Sequence, residues 1–340
     1  MPPDSAMRAC AHSFAMYVPP RCVTNQELST VMDTSDEWIT QRSGIKTRYW
    51  VDAPTTTSDL AVASARQTLR GTSLEAVDAV IAATLSPDFS FPGIGVSVQH
   101  KLGLSKVPAF DVRNQCTGFL YSIELAESLV LSGKYRNVLV VGAEVHSTGL
   151  DVSTRGRDLA VLFGDGAGSC LVSMSEASNH EGSLEILGSE LHSDGAHVKE
   201  LWCEHPGSAH FPTRVTEDLF LEGKLFPRMN GRKVFESAVR SMTEVSLSLL
   251  KRLGISTSEV SLFIPHQANL RINSAVAGHL GLKDEQVVST IQTFGNTTAA
   301  TIPIGITKAY ETGRIQPGQV ILSAAFGGGF TWGAAVFRAR

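Results

Sequence analysis

The sequence predicts an α/β fold in which one half is duplicated, and three observations carry that expectation. Apolar runs of four to six residues alternate with longer stretches of helical periodicity. The apolar runs are continuous rather than alternating, as in strands buried on both faces. A set of matching segments also recurs in one order in the two parts of the chain.

In the first part, Ser58–Leu69 has helical spacing and precedes the strand-like Val77–Ala82. Gln99-His-Lys-Leu-Gly-Leu104 follows, and the strand-like Val107–Val112 then gives way to Cys116 and a helical pattern from Thr117. A glycine at 133, the apolar run Asn137–Gly142 and the glycine-rich Phe163–Val172 complete this part. In the second, a helix fits Val234–Leu253, stopped by Gly254, ahead of Val260–Pro265. Gly278-His-Leu-Gly-Leu282, Asn296, Gly313, Gln319–Ala324 and Phe330–Phe337 then repeat the order. His100 to Cys116 is a step of 16, and His279 to Asn296 is 17. Cys116 to Gly133 and Asn296 to Gly313 are both 17, so Cys116 and Asn296 are expected at matching helix starts that meet centrally. The period is far too long for a solenoid.

At 340 residues the chain accommodates two core-bearing units, placed at 1–174 and 175–340. The stretch from about Ser175 to Arg232 is rich in Gly, Pro, Ser and His; its start marks the seam and it continues as an irregular excursion. A 43% hydrophobic and 18% charged composition suits extensive burial, and a net charge of −4 points to neither nucleic acid nor an anionic membrane. Five scattered cysteines suit reduced thiols in a cytoplasmic setting. The N-terminal stretch has no secretory pattern, and no apolar run reaches the roughly 18–20 residues of a membrane span.

Cys116 is the chemical focus. The free N–H groups and dipole of a helix start stabilise negative charge, so a thiol there is expected to lose its proton readily and act as a nucleophile. The plain alternative is a small core residue. Gly327-Gly-Gly329 permits close backbone approach, as an oxyanion donor requires. Gly164-Asp-Gly-Ala-Gly168 lacks the lysine and spacing of a phosphate loop and reads as a tight turn. His192, His197, Cys203, His205 and His210 match no zinc spacing and read as solvated or locally bonded, so no metal is expected.

Six segments then point to a family. They are Thr34–Ile45, Asp111-Val-Arg-Asn-Gln-Cys116, Leu162-Phe-Gly-Asp-Gly-Ala-Gly168, Phe263-Ile-Pro-His266-Gln-Ala-Asn-Leu-Arg271, Thr293-Phe-Gly-Asn296 and Phe326-Gly-Gly-Gly-Phe-Thr-Trp332. Together the chain resembles β-ketoacyl-acyl-carrier-protein synthase III, the initiating condensing enzyme of dissociated fatty-acid synthesis. The resemblance implies the thiolase fold, two halves in five αβαβα layers, and a homodimer. It implies that Cys116 takes an acyl group from acyl-CoA, and that malonyl-acyl carrier protein then decarboxylates and condenses with it. CoA is thus part of a substrate, and no cofactor is implied.

The same resemblance assigns His266 and Asn296 as N–H donors to the decarboxylation enolate. It assigns the backbone N–H groups of Cys116 and Gly328 as a second oxyanion hole, and Phe326 as an aromatic gate. Trp38 would stack on the adenine, with Arg42 and Arg157 near the phosphates and Arg271 at the channel mouth. Phe91 would narrow the acyl pocket from across the dimer interface, or be a plain interface residue. Two residues depart from the family pattern: Asp158 stands where many members have glycine, and Arg232 replaces a frequent asparagine. The alternative is a specialised condensing enzyme or acyltransferase of secondary metabolism with the same Cys-His-Asn set. A biosynthetic thiolase would need a second cysteine near the C-terminal glycines, and Ala325–Thr331 has none. A catalytically dead partner subunit would lack the nucleophile.

Overall fold

A computed structural model describes residues 8–174, 182–210, 212 and 214–340. The proposed seam at Ser175 lies outside the described residues. The principal strands are β1 (Ala9–Tyr17), β2 (Ala79–Ala83), β3 (Ala109–Val112), β4 (Asn137–Glu144), β5 (Gly166–Met174), β6 (Leu184–Ser193), β7 (Val260–Phe263), β8 (Val320–Gly327) and β9 (Thr331–Ala339). They form one sheet in the order β7-β8-β9-β6-β1-β5-β4-β2-β3.

The duplication is written in the pairing. In the first half β2 runs parallel to β3 and β4, β4 is antiparallel to β5, and β5 is antiparallel to β1. In the second half β7 is parallel to β8, β8 is antiparallel to β9, and β9 is antiparallel to β6. The counterpart of β3 has shrunk to one parallel bridge between Phe263 and Val287. The halves join where β1 meets β6, through the pairs Cys10–Glu185 and Ala11–Leu184.

The longer helices among the described residues are α1 (Asp36–Ser43), α2 (Thr57–Thr68), α3 (Ile94–Leu102), α4 (Gly118–Leu131), α5 (Gly231–Leu253), α6 (Leu270–Leu280) and α7 (Thr301–Glu311), and all but α1 pack on this sheet. Alternate residues of each strand serve different layers, as the pleat requires. Along β4, Val138 and Val140 face a central core with Phe119, Leu120 and Ile123 of α4 and Ile302 and Ile306 of α7. Leu139 and Val141 of the same strand face Leu60 and Ala65 of α2 and Val98 of α3. In β8, Ile321 joins the central core, while Val320 and Leu322 pack on Val245 and Leu249 of α5 and Val276 of α6. The result is five layers with α4 and α7 in the middle, the thiolase-like arrangement.

The repeated helices keep their stop signals. Both α3 and α6 end on a left-handed glycine, Gly103 at φ 77° and Gly281 at φ 72°, whose N–H caps the last turn. Gly142 in β4 serves a different purpose: a Cβ there would come within 2.4 Å of Ala299 O. Its bare backbone lets the turn before α7 press onto the first half's sheet.

Candidate active site

Beyond β3 the chain reverses through Gln115, held at φ 46°, into a 3₁₀ turn Gln115–Thr117 that opens α4. Thr117 secures this turn: its N–H and Oγ1 donate to Asn114 O at 3.1 and 2.7 Å. Its hydroxyl also meets Thr331 Oγ1 at 2.8 Å. The turn carries Cys116, which is buried. Gly327 lies against it, since an added Cβ would come within 3.1 Å of both Cys116 N and Cβ.

Burial pushes the Cys116 thiol up to about 12, and the nearby Glu144 carboxylate adds to the rise. The expectation that the helix start keeps this thiol ionised is therefore corrected: desolvation outweighs the field of α4's first turn. Glu144 ends β4 and is itself fully buried. Burial raises it to about 7 despite donors at Leu85 N (3.1 Å), Thr84 Oγ1 (3.1 Å) and Ser86 Oγ (2.6 Å).

His266 extends the line of β7, its N–H donating to Ala324 O at 2.8 Å. Its ring is buried, with Nδ1 2.7 Å from Thr301 Oγ1 and Nε2 without a hydrogen-bond partner among the described residues. Burial lowers its pKa to about 3, so the imidazole is neutral. Asn296 is clamped by its backbone: its N–H donates to Leu162 O at 2.8 Å, and its carbonyl accepts from Gly164 N–H at 3.1 Å. Its Oδ1 accepts from Thr298 N–H at 2.9 Å, which commits the oxygen and leaves the NH₂ end free. His146 closes the shell behind: Nε2 makes a short contact to Thr298 Oγ1, and the ring lies 4.3 Å from that of Phe163.

The two helix starts do meet, because a Cβ on Gly118 would lie 3.5 Å from Ala299 Cβ. The register read from spacing needs correction, however. The counterpart of the Gln115–Thr117 turn is the 3₁₀ turn Thr298–Ala300, opening with Thr298 at φ 50°. Asn296 sits ahead of that turn and does not begin a helix. The spacing matched because it was counted from the helix ends, whereas α7, with 11 residues, is shorter than α4, with 14.

Cys116, His266, Asn296 and Phe326 line one cavity of about 100 Å³, otherwise walled by apolar groups such as Leu201, Val234, Phe235, Ala238 and Met242. Phe326 is buried, its ring 4.7 Å from that of Phe330. Leu162, Met229, Gly231, Phe235 and Asn269 also line a larger basin of about 640 Å³ at the surface, so the two spaces adjoin across these residues.

The basin gathers three of the four predicted CoA-binding residues: Trp38, Arg42 and Arg271. Arg42 and the fourth, Arg157, lie over the Trp38 ring at 4.4 and 5.2 Å. Arg271 lies over Phe235 at 5.6 Å and has no ion pair among the described residues. The two departures from the family pattern share this rim. Asp158 comes within 4.0 Å of Arg42, and Arg232 pairs with Glu236 one helical turn on at 2.9 Å. Gly328 continues the Gly327 turn; a Cβ there would meet Leu201 O at 2.7 Å. Phe91 does not reach its own chain's cavity and is 83% exposed on a loop beside Phe89.

Sequence reading missed Glu144, Thr301, His146 and the cavity wall at Leu201 and Met229. A lone carboxylate ending the apolar run Asn137–Glu144 was the available signal for the first. The others depend on contacts between distant segments that no local pattern records.

Residues 110–195 match the family model of 3-oxoacyl-[acyl-carrier-protein (ACP)] synthase III, and residues 250–339 match that of its C-terminal part. The chain is 43% identical over 327 residues to the β-ketoacyl-[acyl-carrier-protein] synthase III of Nitratidesulfovibrio vulgaris, covering 96% of this chain and 97% of that one. It is 40% identical over 331 residues to the Helicobacter pylori protein of the same name, covering 96% and 97%. The crystal structure of 3-oxoacyl-[acyl-carrier-protein] synthase III from Aquifex aeolicus VF5 superposes with a TM-score of 0.85 at 38% identity, covering 98% of this chain and all of that one. On these grounds the chain belongs to the β-ketoacyl-[acyl-carrier-protein] synthase III family of acyl-transferring condensing enzymes.

Proposed function

We propose that this chain initiates dissociated fatty-acid synthesis by joining an acyl-CoA primer to malonyl-acyl carrier protein, with CoA thioester as substrate and no resident cofactor. The observation that supports this most is the shared cavity: a thiol, an unpartnered imidazole nitrogen and a free carboxamide NH₂ line one small apolar space. That space adjoins a basin rimmed by Trp38, Arg42 and Arg271. Indole and guanidinium groups suit an adenine and phosphates, and the apolar neck suits pantetheine.

In the first stage the Cys116 sulfur adds to the acyl-CoA carbonyl while its proton passes to a base. The tetrahedral oxyanion is held by the N–H groups of Cys116 and Gly328. Collapse breaks the bond to the CoA sulfur, which leaves as a thiol after taking a proton. In the second stage malonyl thioester loses CO₂, and His266 and Asn296 donate to the enolate oxygen. The enolate carbon then bonds to the acyl carbon and expels the Cys116 thiolate, which is reprotonated. The dry cavity and Phe326 as its gate keep water from the enolate.

Thr301 connects the two stages. Its hydroxyl has one proton and two acceptors, Thr298 O at 3.0 Å and His266 Nδ1 at 2.7 Å. Donating to Thr298 O, it accepts from the Nδ1–H and leaves the Nε2 lone pair free. Donating to Nδ1, it leaves Nε2 carrying the N–H that the enolate needs.

The halves are taken as 1–174 and 175–340. A homodimer is proposed from the exposed aromatics Phe89, Phe91 and Phe110, the last on the edge strand β3. In it Phe91 would close the partner's acyl pocket and favour short primers. A cytoplasmic location fits the free cysteines; no helix among the described residues is long and apolar enough to cross a membrane. The specialised-pathway alternative is not favoured, since curated relatives of 40–43% identity over nearly the whole chain carry the initiating enzyme's name.

The test is a panel of acyl-CoAs of increasing chain length, followed by mass analysis of the peptide containing Cys116. The proposal expects a short acyl mass on Cys116 and, after malonyl-acyl carrier protein is added, CO₂ and a 3-ketoacyl product. Transfer of the acyl group to an alcohol or amine without CO₂ release would overturn it.

A further inference from the structure

The irregular excursion holds a second cluster of chemically competent side chains, away from the cavity just described. We propose that Glu204, His205 and His210 bind one divalent transition-metal ion of the zinc class, with a fourth position open to water. Each residue offers a ligand atom, and these atoms lie within 4.8 Å of one another. The set is two imidazoles and a carboxylate, which zinc accepts in three-ligand sites.

Two further observations point to a ligand. His205 is 5% exposed, yet its Nδ1 has no hydrogen-bond partner among the described residues, and its Nε2 approaches Glu204 Oε1 at 3.9 Å. A buried imidazole in that state carries a desolvation cost that a metal bond would offset. The His205 and His210 rings also lie 3.8 Å apart, centroid to centroid, with their planes tilted by 34°. Bonds of ~2.0–2.2 Å set tetrahedral donors roughly 3.4 Å apart, so the donor atoms draw together and the His210 ring turns out of its stack on His205 when the ion binds. Arg228, 3.6 Å from Glu204 Oε2, is the competing cation; it occupies one carboxylate oxygen and leaves the other toward His205.

The position gives such an ion a mechanical effect. Glu204 and His205 directly follow the short strand Leu201–Cys203, which pairs with Pro227–Met229. Leu201 and Met229 are both walls of the inner cavity. His205 N–H donates to Lys224 O at 3.2 Å, whereas the one backbone bond of His210 among the described residues is local, from its N–H to Gly207 O at 3.2 Å. An ion would therefore clip the 204–210 turn to the neck of the excursion. The inference does not depend on the reaction proposed above, because it concerns binding alone.

The experiment uses the full chain, stripped with a chelator and titrated with Zn²⁺ against a fluorescent competitor. One equivalent is expected, and Co²⁺ in its place should show the visible d–d absorption of a tetrahedral site without a thiolate charge-transfer band. His210→Ala and Glu204→Gln should each weaken binding by more than the ~10–100-fold that loss of an outer-shell partner costs. The Cys22→Ser/Cys203→Ser pair should bind as the parent does. His210 is only half-buried, so H210A carries the test if substitutions at buried His205 fail to fold. No binding, unchanged affinity in H210A and E204Q, or a thiolate band from Co²⁺ would each overturn the proposal.

Discussion

The two halves share an architecture and divide the chemistry, and the turns before α4 and α7 show how. Each turn opens with a non-glycine residue in the left-handed region, Gln115 at φ 46° and Thr298 at φ 50°, and each leads into a helix of the central layer. In the first half the next residue is Cys116. In the second it is Ala299, a filler whose carbonyl presses on Gly142. The second half instead places its functional groups around the turn: Asn296 before it and His266 at the end of β7. A duplicated frame thus supplies two converging backbones, and substitution at non-equivalent positions makes one the nucleophile's and the other the donors'.

The sharpest way to break that division is Cys116→Ala. Acyl-enzyme should vanish, and intact-mass analysis after incubation with acyl-CoA should show no adduct; a persisting acyl mass would place the nucleophile elsewhere. Next come Asn296→Ala and His266→Ala, each removing one enolate donor. Each should cost about 10²–10³-fold in decarboxylation, measured as CO₂ release from malonyl-acyl carrier protein. Asn296→Ala should leave self-acylation near the parent rate. Should it block acylation and spare decarboxylation, the assignment of donors to the second half would be wrong.

A smaller effect tests the electrostatics of the first half. Glu144 has a folded value near 7, above its ordinary 4.5, so its contribution to stability is fully present below 4.5 and is lost as pH rises through about 7. Because its charge also raises the Cys116 thiol, Glu144→Gln should flatten that stability loss and speed iodoacetamide labelling of Cys116 above pH 7 but not at pH 5. Parent labelling should climb from pH 7 to 9 without a plateau, as a thiol near 12 demands. A plateau below pH 8 would restore the ionised thiol expected from the helix start alone. The smallest effect belongs to the rim. Arg271→Glu should slow turnover with malonyl-acyl carrier protein on the order of tenfold through lost electrostatic steering, with self-acylation rates changed less. Equal slowing of both steps would reject a carrier-facing role.

Much of this was legible in the letters. The segment order gave the duplication because buried parallel strands are continuous apolar runs, and the glycines at 103 and 281 are required by left-handed helix stops. Cys116, His266 and Asn296 sit in local motifs, so their convergence followed once the halves were paired. The thiol's acidity was misread because a helix start is visible in sequence while the burial that opposes it is not. Leu201 and Met229 escaped notice because the short strands bearing them pair across a stretch with no periodicity. The proximity of the His205 and His210 rings was not legible, because linear spacing carries no information about rings brought together by a loop.

The placement of β1 has a consequence for how the chain matures. Its residue Ala9 pairs with Met174, and Cys10 pairs with Glu185. β1 therefore leaves a ribosome some 165 residues ahead of Met174 and waits for it. At about 5–20 residues per second that delay is on the order of ten to thirty seconds. Over that interval the apolar segment around Ala9–Ala11 stays unpaired, and a chaperone that shields nascent chains would find it there.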